Sequence, residues 1–289
     1  MIEKQTAVNG LVEESLGLFP AEVAMKPFLK WAGGKTQLIP ELSRYIPSGF
    51  NKYIEPFVGG GAFYFFLNPG NAIIADSNDE LITTYKIVRD NVEDVINILE
   101  GYKNEESYFY GIRAINTETL SDIERTARLI YLNKTCFNGL YRVNKQGQYN
   151  VPYGKGSGEF LNRELLRDAS EFLQNTKILC LDYLITLKKY ACKGDFVFLD
   201  PPYYPVGKFS DFKRYTKEFF YHDDHLILKE EFDRLVKLGC HVILTNSNHP
   251  VVLDLYKNYD IKIIETKRLI SSDPKTRSGK DIIVIGDNG

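Results

Sequence analysis

The chain has 289 residues, of which 44% are hydrophobic and 13% are aromatic. That length and hydrophobic content suffice for one large domain, or for one domain with an inserted subdomain. The formal net charge is only −2, which excludes a global positive field, so any cations that bind nucleic acid must be concentrated on one face. The sequence shows neither a secretory signal nor an apolar stretch of membrane-spanning length, so we expect no membrane partner.

Cysteine and histidine spacing indicates neither a metal site nor a disulfide framework. The four cysteines lie far apart without a C-x-x-C pair, and the four histidines lack metal-ligand spacing. We therefore expect reduced thiols, no metal and a cytoplasmic protein. The cysteines are Cys136, Cys180, Cys192 and Cys240.

The amino-terminal part consists of an appendage and a glycine turn. Residues 1–25 have only weak apolar periodicity, and a loose terminus is the simplest interpretation. The stretch Phe28–Thr36 ends in Gly-Lys-Thr, which suggests a P-loop, but Leu29 holds the position where that motif requires its first glycine. What remains is a turn that brings the only tryptophan, Trp31, close to Lys35, with a helix after it.

A strand, a second glycine turn and a helix start follow at Tyr53–Val58, Gly59–Gly61 and Ala62. Such a turn lets a ligand approach the backbone closely, as in nucleotide-binding α/β folds. Asp76 ends the next strand, Ala72–Ala75, where an acidic residue can hold ribose hydroxyls. A lone aspartate there is also a common helix cap, but the nearby glycine turn favours the ribose role.

Residues 80–178 have a different character. Segments around Leu81–Leu99, Glu105–Ile115 and Ile123–Leu132 have helical periodicity, with no strand alternation between them. Two further stretches, Lys134–Asn144 and Gly147–Lys155, mix aromatic, amide and arginine side chains around a strong Asn-Gly turn signal. That mixture suits the reading of DNA bases and an aromatic wedge between base steps. An ordered hairpin with a polar surface explains it equally well.

The sequence Asp-Pro-Pro-Tyr at residues 200–203 follows the apolar run Phe196–Leu199, which is typical of a buried parallel strand. The prolines end that strand because they cannot donate ladder hydrogen bonds. Asp200 and the Pro201 carbonyl can accept hydrogen bonds from an exocyclic amino group, while Tyr203 stacks on a nucleobase. The alternative is a rigid turn with a solvated aspartate cap.

The remaining part of the chain predicts further helices and strands of an α/β sheet. We expect helices at His222–Leu238 and Pro250–Tyr256, and strands at His241–Thr245, Ile261–Glu265 and Ile282–Ile285. The loop between the last two strands carries Arg277 and Lys280, which indicates contact with DNA phosphates or simply a solvated loop.

Three stretches in this order closely resemble the Dam-like DNA adenine-N6 methyltransferases of class alpha. They are Phe-Leu-Lys-Trp-Ala-Gly-Gly-Lys at residues 28–35, Glu-Pro-Phe-Val-Gly-Gly-Gly at 55–61 and Asp-Pro-Pro-Tyr at 200–203. Residues 138–142 and 150–154 resemble the recognition segment of that family, and the likeness extends from about Pro27 to Ile285.

The resemblance implies an α/β fold with a Rossmann-like S-adenosylmethionine-dependent methyltransferase sheet, mostly parallel with one antiparallel strand. It also implies an inserted helical DNA-recognition domain at residues 86–179. Residues 26–85 and 180–289 would form the catalytic domain, and residues 1–25 an appendage.

Site residues are implied position by position. The cofactor site would comprise Trp31, Lys35, Phe57, Gly59, Gly61, Asp76 and Asp200. The flipped adenine would be held by Asp200, Pro201, Pro202 and Tyr203. DNA would be contacted by Phe137, Asn138, Leu140, Tyr141, Arg142, Pro152, Arg277 and Lys280. In this set Phe137 takes the place of an intercalating ring, and Asn138 and Arg142 that of base or phosphate readers. Phe137 and Tyr141 stand where some relatives differ.

The implied function is transfer of a methyl group from S-adenosylmethionine to N6 of a flipped adenine in duplex DNA, within GATC. S-adenosylhomocysteine would be the product, without a metal. Alternatives are methylation of another amine, such as cytosine N4 or an RNA adenine, and a non-catalytic DNA-binding regulator on the same scaffold. The resemblance also implies a prokaryotic or viral source, and we expect a monomer that acts alone or alongside a restriction endonuclease.

Overall fold

The computed structural model describes residues 25–31, 33, 35–144, 146–154, 158–205, 220–267 and 278–287. Strands in this part of the chain form one seven-stranded sheet. They are β1 (Tyr53–Glu55), β2 (Ala72–Asp76), β3 (Thr176–Cys180), β4 (Phe196–Leu199), β5 (His241–Ser247), β6 (Asp260–Lys267) and β7 (Ser278–Gly286).

The sheet order is β3-β2-β1-β4-β5-β7-β6. Each neighbouring pair from β3 to β5 is parallel, whereas β7 is antiparallel to both β5 and β6. Strand β7 is therefore the one antiparallel strand, and the expected mostly parallel α/β sheet is confirmed.

The central strand β4 is buried on both faces. Phe196 and Phe198 belong to one apolar core, while Val197 and Leu199 belong to the other. Successive side chains of a strand point to opposite faces, so this continuous apolar run is explained by helices that cover both sides of the sheet.

Nine α-helices lie within the described ranges. They are α1 (Ile39–Leu42), α2 (Ala62–Leu67), α3 (Asp79–Glu100), α4 (Glu106–Ala114), α5 (Asp122–Thr135), α6 (Arg163–Leu173), α7 (Tyr183–Tyr190), α8 (His222–Leu238) and α9 (Pro250–Leu255). Ser121 and Glu124 form a reciprocal capping box at the start of α5. Gly239, at φ 90°, ends α8 where the sequence predicted its terminus.

Several local features differ from expectation. The helix predicted after Lys35 is a broken series of short turns, because Pro40 lies within it. Strand β1 ends at Glu55 rather than Val58, since Pro56 cannot donate to the ladder. The edge strand β3 and the helices α6 and α7 were not predicted.

Two of the predictions concern residues outside the described ranges. The appendage, apart from Met25, and residue Arg277 lie outside the described residues.

Candidate active site

Asp200 lies directly after β4 and is fixed from both sides. Its Oδ2 is 2.6 Å from Nζ of Lys35, and Oγ1 of Thr245 donates a hydrogen bond to its Oδ1 at 2.7 Å. Only 19% of the Asp200 side chain is exposed. The carboxylate therefore stands at the carboxyl edge of the sheet, the usual ligand-binding edge of an open α/β fold.

The ammonium group of Lys35 is buried within this cluster. Its Nζ also donates to the carbonyl of Gly33 at 2.5 Å and lies 4.8 Å from the ring centroid of Tyr203. Burial alone would lower the pKa of Lys35, but the negative charge of Asp200 raises it above its ordinary value. The side chain thus remains charged and paired.

Burial and ion pairing act in opposite directions on Asp200. Desolvation raises the pKa of this carboxyl, whereas the charge of Lys35 and the hydrogen bond from Thr245 oppose that rise. Burial also raises the pKa of Tyr203, so its phenol stays neutral at physiological pH. The cluster offers a hydrogen-bond acceptor beside an aromatic ring.

The glycine turn after β1 approaches Trp31 too closely for a side chain. Gly59 and Gly61 have φ values of 46° and 66°, which favour glycine. A Cβ on Gly59 would lie 2.8 Å from Cδ1 of Trp31, and one on Gly61 would lie 2.8 Å from the hydroxyl of Tyr85. The turn thus requires glycine at both positions, because Trp31 and Tyr85 pack directly against its backbone at the carboxyl end of β1.

Asp76 ends β2 beside this turn. The backbone N–H of Gly59 donates to Oδ2 of Asp76 at 3.2 Å, and that of Asn78 donates to Oδ1 at 2.9 Å. Helix α3 is capped by the side chain of Asn78, which accepts from the N–H of Leu81. Asp76 is therefore tied to the glycine turn, and the helix-cap role belongs to Asn78.

Three aromatic rings pack together near the carboxyl ends of β1 and β3. Phe57 stacks on Tyr183 with ring centroids 4.9 Å apart, and Phe220 contacts both rings. Sequence reasoning missed Tyr183. The signal is an acid–aromatic pair, Asp182-Tyr183, which begins two residues after the end of β3, a strand that the sequence did not predict.

Tyr141 connects the recognition stretch with the glycine turn. Its ring stacks on Trp31 with centroids 5.0 Å apart, and its hydroxyl donates to Oε2 of Glu80 at 2.9 Å. Only 6% of Tyr141 is exposed. Arg128 lies 3.4 Å from the other oxygen of Glu80. Sequence reasoning assigned neither Glu80 nor Arg128.

Other parts of the recognition stretch point outwards. Phe137 is 49% exposed, although it is a large apolar ring, and Asn138 is exposed in the left-handed region at φ 55°. Leu140 is half-buried and Pro152 is exposed. These residues form one surface around the turn at 137–139, because the N–H of Phe137 bonds the carbonyl of Pro152.

Arg142 is held in place by the opposite side of its hairpin. Its Nε donates to Oδ1 of Asn150 at 2.7 Å, and one terminal nitrogen donates to the Asn150 carbonyl at 3.2 Å. The N–H of Asn150 bonds the Arg142 carbonyl in return. Lys280 lies separately, as an exposed residue of β7 and not of the predicted loop, because β7 begins at Ser278, earlier than expected.

The described part of the chain contains neither a candidate metal cluster nor a helix that could span a membrane. Within these ranges no group of three or more His, Cys, Asp or Glu side chains could hold a metal ion. None of the helices described above is both long and apolar enough to cross a membrane.

Comparisons with known proteins point to one family for this chain. Residues 31–270 match the family model of the D12 class N6 adenine-specific DNA methyltransferases. The chain is 38% identical to the Type II methyltransferase M1.LlaDCHI of Lactococcus lactis subsp. cremoris, covering 93% of this chain and 97% of the relative. It is 39% identical to the Type II methyltransferase M.MjaIII of Methanocaldococcus jannaschii, covering 86% and 93%.

A third relative, the DNA adenine methylase of Serratia marcescens, is 32% identical over 88% of this chain and 95% of its own. The family model and these relatives each span most of the chain. This protein therefore belongs to the D12 class of N6 adenine-specific DNA methyltransferases.

Proposed function

We propose that the protein transfers the methyl group of S-adenosylmethionine to N6 of an adenine flipped out of duplex DNA, within the sequence GATC. The observation that carries this proposal is the buried Asp200 carboxylate, fixed by Lys35 and Thr245 beside the ring of Tyr203. This arrangement suits a planar base that donates hydrogen bonds from an amino group.

Membership of a methyltransferase family implies the use of S-adenosylmethionine, and the residues around the glycine turn fit it. Gly59 and Gly61 form a tight turn in which Trp31 and Tyr85 leave no room for a Cβ, and Asp76 offers carboxylate oxygens for ribose hydroxyls. Phe57 supplies an aromatic face, and Trp31 and Lys35 complete the proposed set. When bound, the cofactor supplies a methyl sulfonium, a strong electrophile.

N6 of adenine is a weak nucleophile, because its lone pair is delocalised into the ring. Hydrogen bonds from its two protons to Asp200 and to the Pro201 carbonyl favour a more pyramidal and nucleophilic nitrogen. Tyr203 stacks on the base and fixes its plane. Such alignment can contribute several kcal/mol to a methyl transfer, so Asp200 serves as an orienting acceptor rather than a strong base.

Extrusion of the adenine costs a few kcal/mol of lost stacking and pairing. The exposed ring of Phe137 offers compensation, since an aromatic side chain can fill the gap in the base stack. Asn138 lies next to this ring on the same exposed turn. Leu140 and Pro152 supply apolar surface for contact with a thymine methyl group.

Arg142 is positioned to recognise a guanine by hydrogen bonds. Asn150 engages Nε and one terminal nitrogen of Arg142, which fixes the plane of the guanidinium. Arginine recognises guanine by bidentate hydrogen bonds to O6 and N7. An arginine fixed in advance loses less conformational entropy when it makes those bonds.

We assign target recognition to the helical insertion, residues 86–179, and phosphate contacts to Lys280 and Arg277. Since two of the relatives are Type II methyltransferases by name, we extend the proposal to action alongside a restriction endonuclease, as a monomer. Light scattering of the free enzyme and of its DNA complex tests the monomer, and a two-to-one protein-to-duplex mass would refute it.

The direct test is transfer of tritiated methyl groups from S-adenosylmethionine to duplexes containing GATC, GTTC or a scrambled site. We expect label on the GATC duplex alone, recovered as N6-methyladenine. Equal label on other adenine-containing sites would keep the adenine chemistry and refute GATC recognition. In parallel, Asp200→Asn should bind DNA without turnover, and an active variant would refute the role of Asp200.

A further inference from the structure

We propose that Thr245 is a positioning residue for methyl transfer, whose hydroxyl holds one oxygen of Asp200 so that the other stays aimed at the target amino group. The inference rests on the proposed role of Asp200. It concerns a residue that touches neither the base nor the cofactor in this scheme. Its hydroxyl acts through the Asp200 carboxylate and also lies beside the phenol of Tyr203.

The need for such a residue follows from the prolines. Asp200 stands one residue beyond the end of β4, and neither Pro201 nor Pro202 has an N–H to continue the ladder. Pairing of β4 with β5 ends at Leu199 opposite Leu244. The backbone of the motif is thus released from the sheet at the point where its carboxylate needs a fixed direction.

Side chains of the last three residues of β5 replace the missing ladder bonds. Thr245 Oγ1 donates to Asp200 Oδ1 at 2.7 Å, and the N–H of Tyr204 donates to Asn246 Oδ1 at 2.9 Å. Ser247 Oγ donates to the Tyr204 carbonyl at 2.7 Å. All three β5 residues are buried, so their hydroxyl and amide groups have no competing water.

These three contacts have different consequences. Asn246 and Ser247 bond the backbone of Tyr204, and the N–H of Ser247 also donates to Oδ1 of Asn246, so these two residues fix the chain after the motif and do not bond the carboxylate. Thr245 bonds the carboxylate itself. With Oδ1 committed to Thr245, rotation of the carboxyl group is prevented, and Oδ2 is the oxygen shared between Lys35 and an incoming amino group. A carboxylate oxygen has lone pairs for both donors.

The same hydrogen bond favours the ionised form of Asp200. Burial raises the pKa of Asp200, and the Thr245 hydroxyl is one of the groups that oppose this rise. Loss of the hydroxyl should therefore move the acid limb of the turnover rate to higher pH. The other titratable groups that act on Asp200, or are acted on by it, are Lys35, Tyr53, Glu55, Tyr203 and Asp281.

The experiment compares Thr245→Val, which has the same shape without the hydroxyl, with Thr245→Ser, which keeps it. Single-turnover methylation is measured from pH 5 to 9, together with DNA and cofactor affinity and thermal unfolding. We expect Thr245→Val to lose roughly ten- to a hundredfold in rate, about 1.4–2.7 kcal/mol, with affinities within about twofold. Its acid limb should shift upward, and Thr245→Ser should restore most of both effects.

Thr84→Val is the matched control, since the buried hydroxyl of Thr84 donates only to a helix carbonyl. It should affect stability without moving the pH profile. If Thr245→Val folds poorly, Thr245→Ala is measured in its place. A wild-type rate and pH profile in the hydroxyl-less variant, or an equal loss in Thr245→Ser, would overturn the proposal.

Asp200→Asn, assayed in parallel, separates two kinds of failure. If Asp200→Asn is inactive and Thr245→Val is unaffected, only the positioning role is refuted. If Asp200→Asn retains wild-type turnover, the proposed role of Asp200 is wrong and the role of Thr245 is refuted with it.

Discussion

Replacement of Lys35 by methionine tests whether the buried ion pair with Asp200 organises the site. Methionine has a similar length and no charge, so Lys35→Met leaves the Asp200 carboxylate buried without its cation. The two side chains are only 7% and 19% exposed, and the pair distance is 2.6 Å. Breaking a fully buried pair costs about 3–5 kcal/mol; with the residual exposure of Asp200, we expect roughly 2–4 kcal/mol.

The loss should depend on pH in a defined direction. Because burial raises the folded-state pKa of Asp200, its ionisation opposes folding, and stability from this group falls as the pH rises through that pKa. Without Lys35 the pKa of Asp200 rises further. Lys35 itself has a raised pKa, so its stabilising effect is present throughout the neutral range. The stability gap between wild type and Lys35→Met should therefore widen from about pH 4 to pH 8.

Thermal and urea unfolding at several pH values measure this gap, with an expected fall in melting temperature of roughly 5–10 °C near neutral pH. Arg167→Met is the matched control, since Arg167 is also 2.6 Å from its partner, Glu93, but both side chains are at least half exposed. That variant should change little. Equal destabilisation of Lys35→Met and Arg167→Met, or a gap that widens towards acid pH, would refute the reasoning.

Three further predictions concern the cofactor turn and the recognition stretch. Gly59→Ala would force a residue with a Cβ into φ 46° and against Trp31. We expect it to lose roughly 1–3 kcal/mol of stability and to bind the cofactor more weakly in calorimetry. The control Gly70→Ala has open space around it and should change neither stability nor cofactor binding. Asn150→Ala should relax sequence discrimination at a single base pair, measured by methylation of duplexes substituted at each position of the site. A uniform loss of methylation rate at all positions, or an equal effect of Asn144→Ala in the same hairpin, would contradict a role in guanine recognition. Tyr141→Phe removes only a buried hydroxyl and should cost about 1–2 kcal/mol in urea unfolding, while the tryptophan fluorescence spectrum stays unchanged because the ring stack is kept; a large spectral shift would contradict this.

Most of the correct predictions depend on interactions between residues that lie close together in the chain. Gly239 and the apolar periodicity before it determine α8 with its observed ends. The apolar run before Asp200, ended by two prolines, determines β4 and the position of the carboxylate at its carboxyl end. These features depend on residues within one turn or one strand of each other. Short-range sterics and hydrogen bonding therefore suffice to predict them.

Strand β3 shows where local signals fail. It is an edge strand whose residues alternate only partly between buried and exposed, and Lys177 faces solvent within it. Its pairing with β2, more than 100 residues earlier in the chain, supplies the hydrogen bonds that make it a strand. No pattern in its own five residues distinguishes it from a connecting segment.

By itself, then, the sequence determined helix α8, strand β4, the acceptor at Asp200 and the glycine turn, because each depends on neighbouring residues. Only the tertiary structure decided which groups surround them. Lys35 and Thr245 reach Asp200 from opposite sides of the carboxylate, although 165 residues separate the first pair and 45 the second. Such contacts depend on sheet order and strand register, which are set when distant segments pack together, so residue spacing along the chain cannot reveal them.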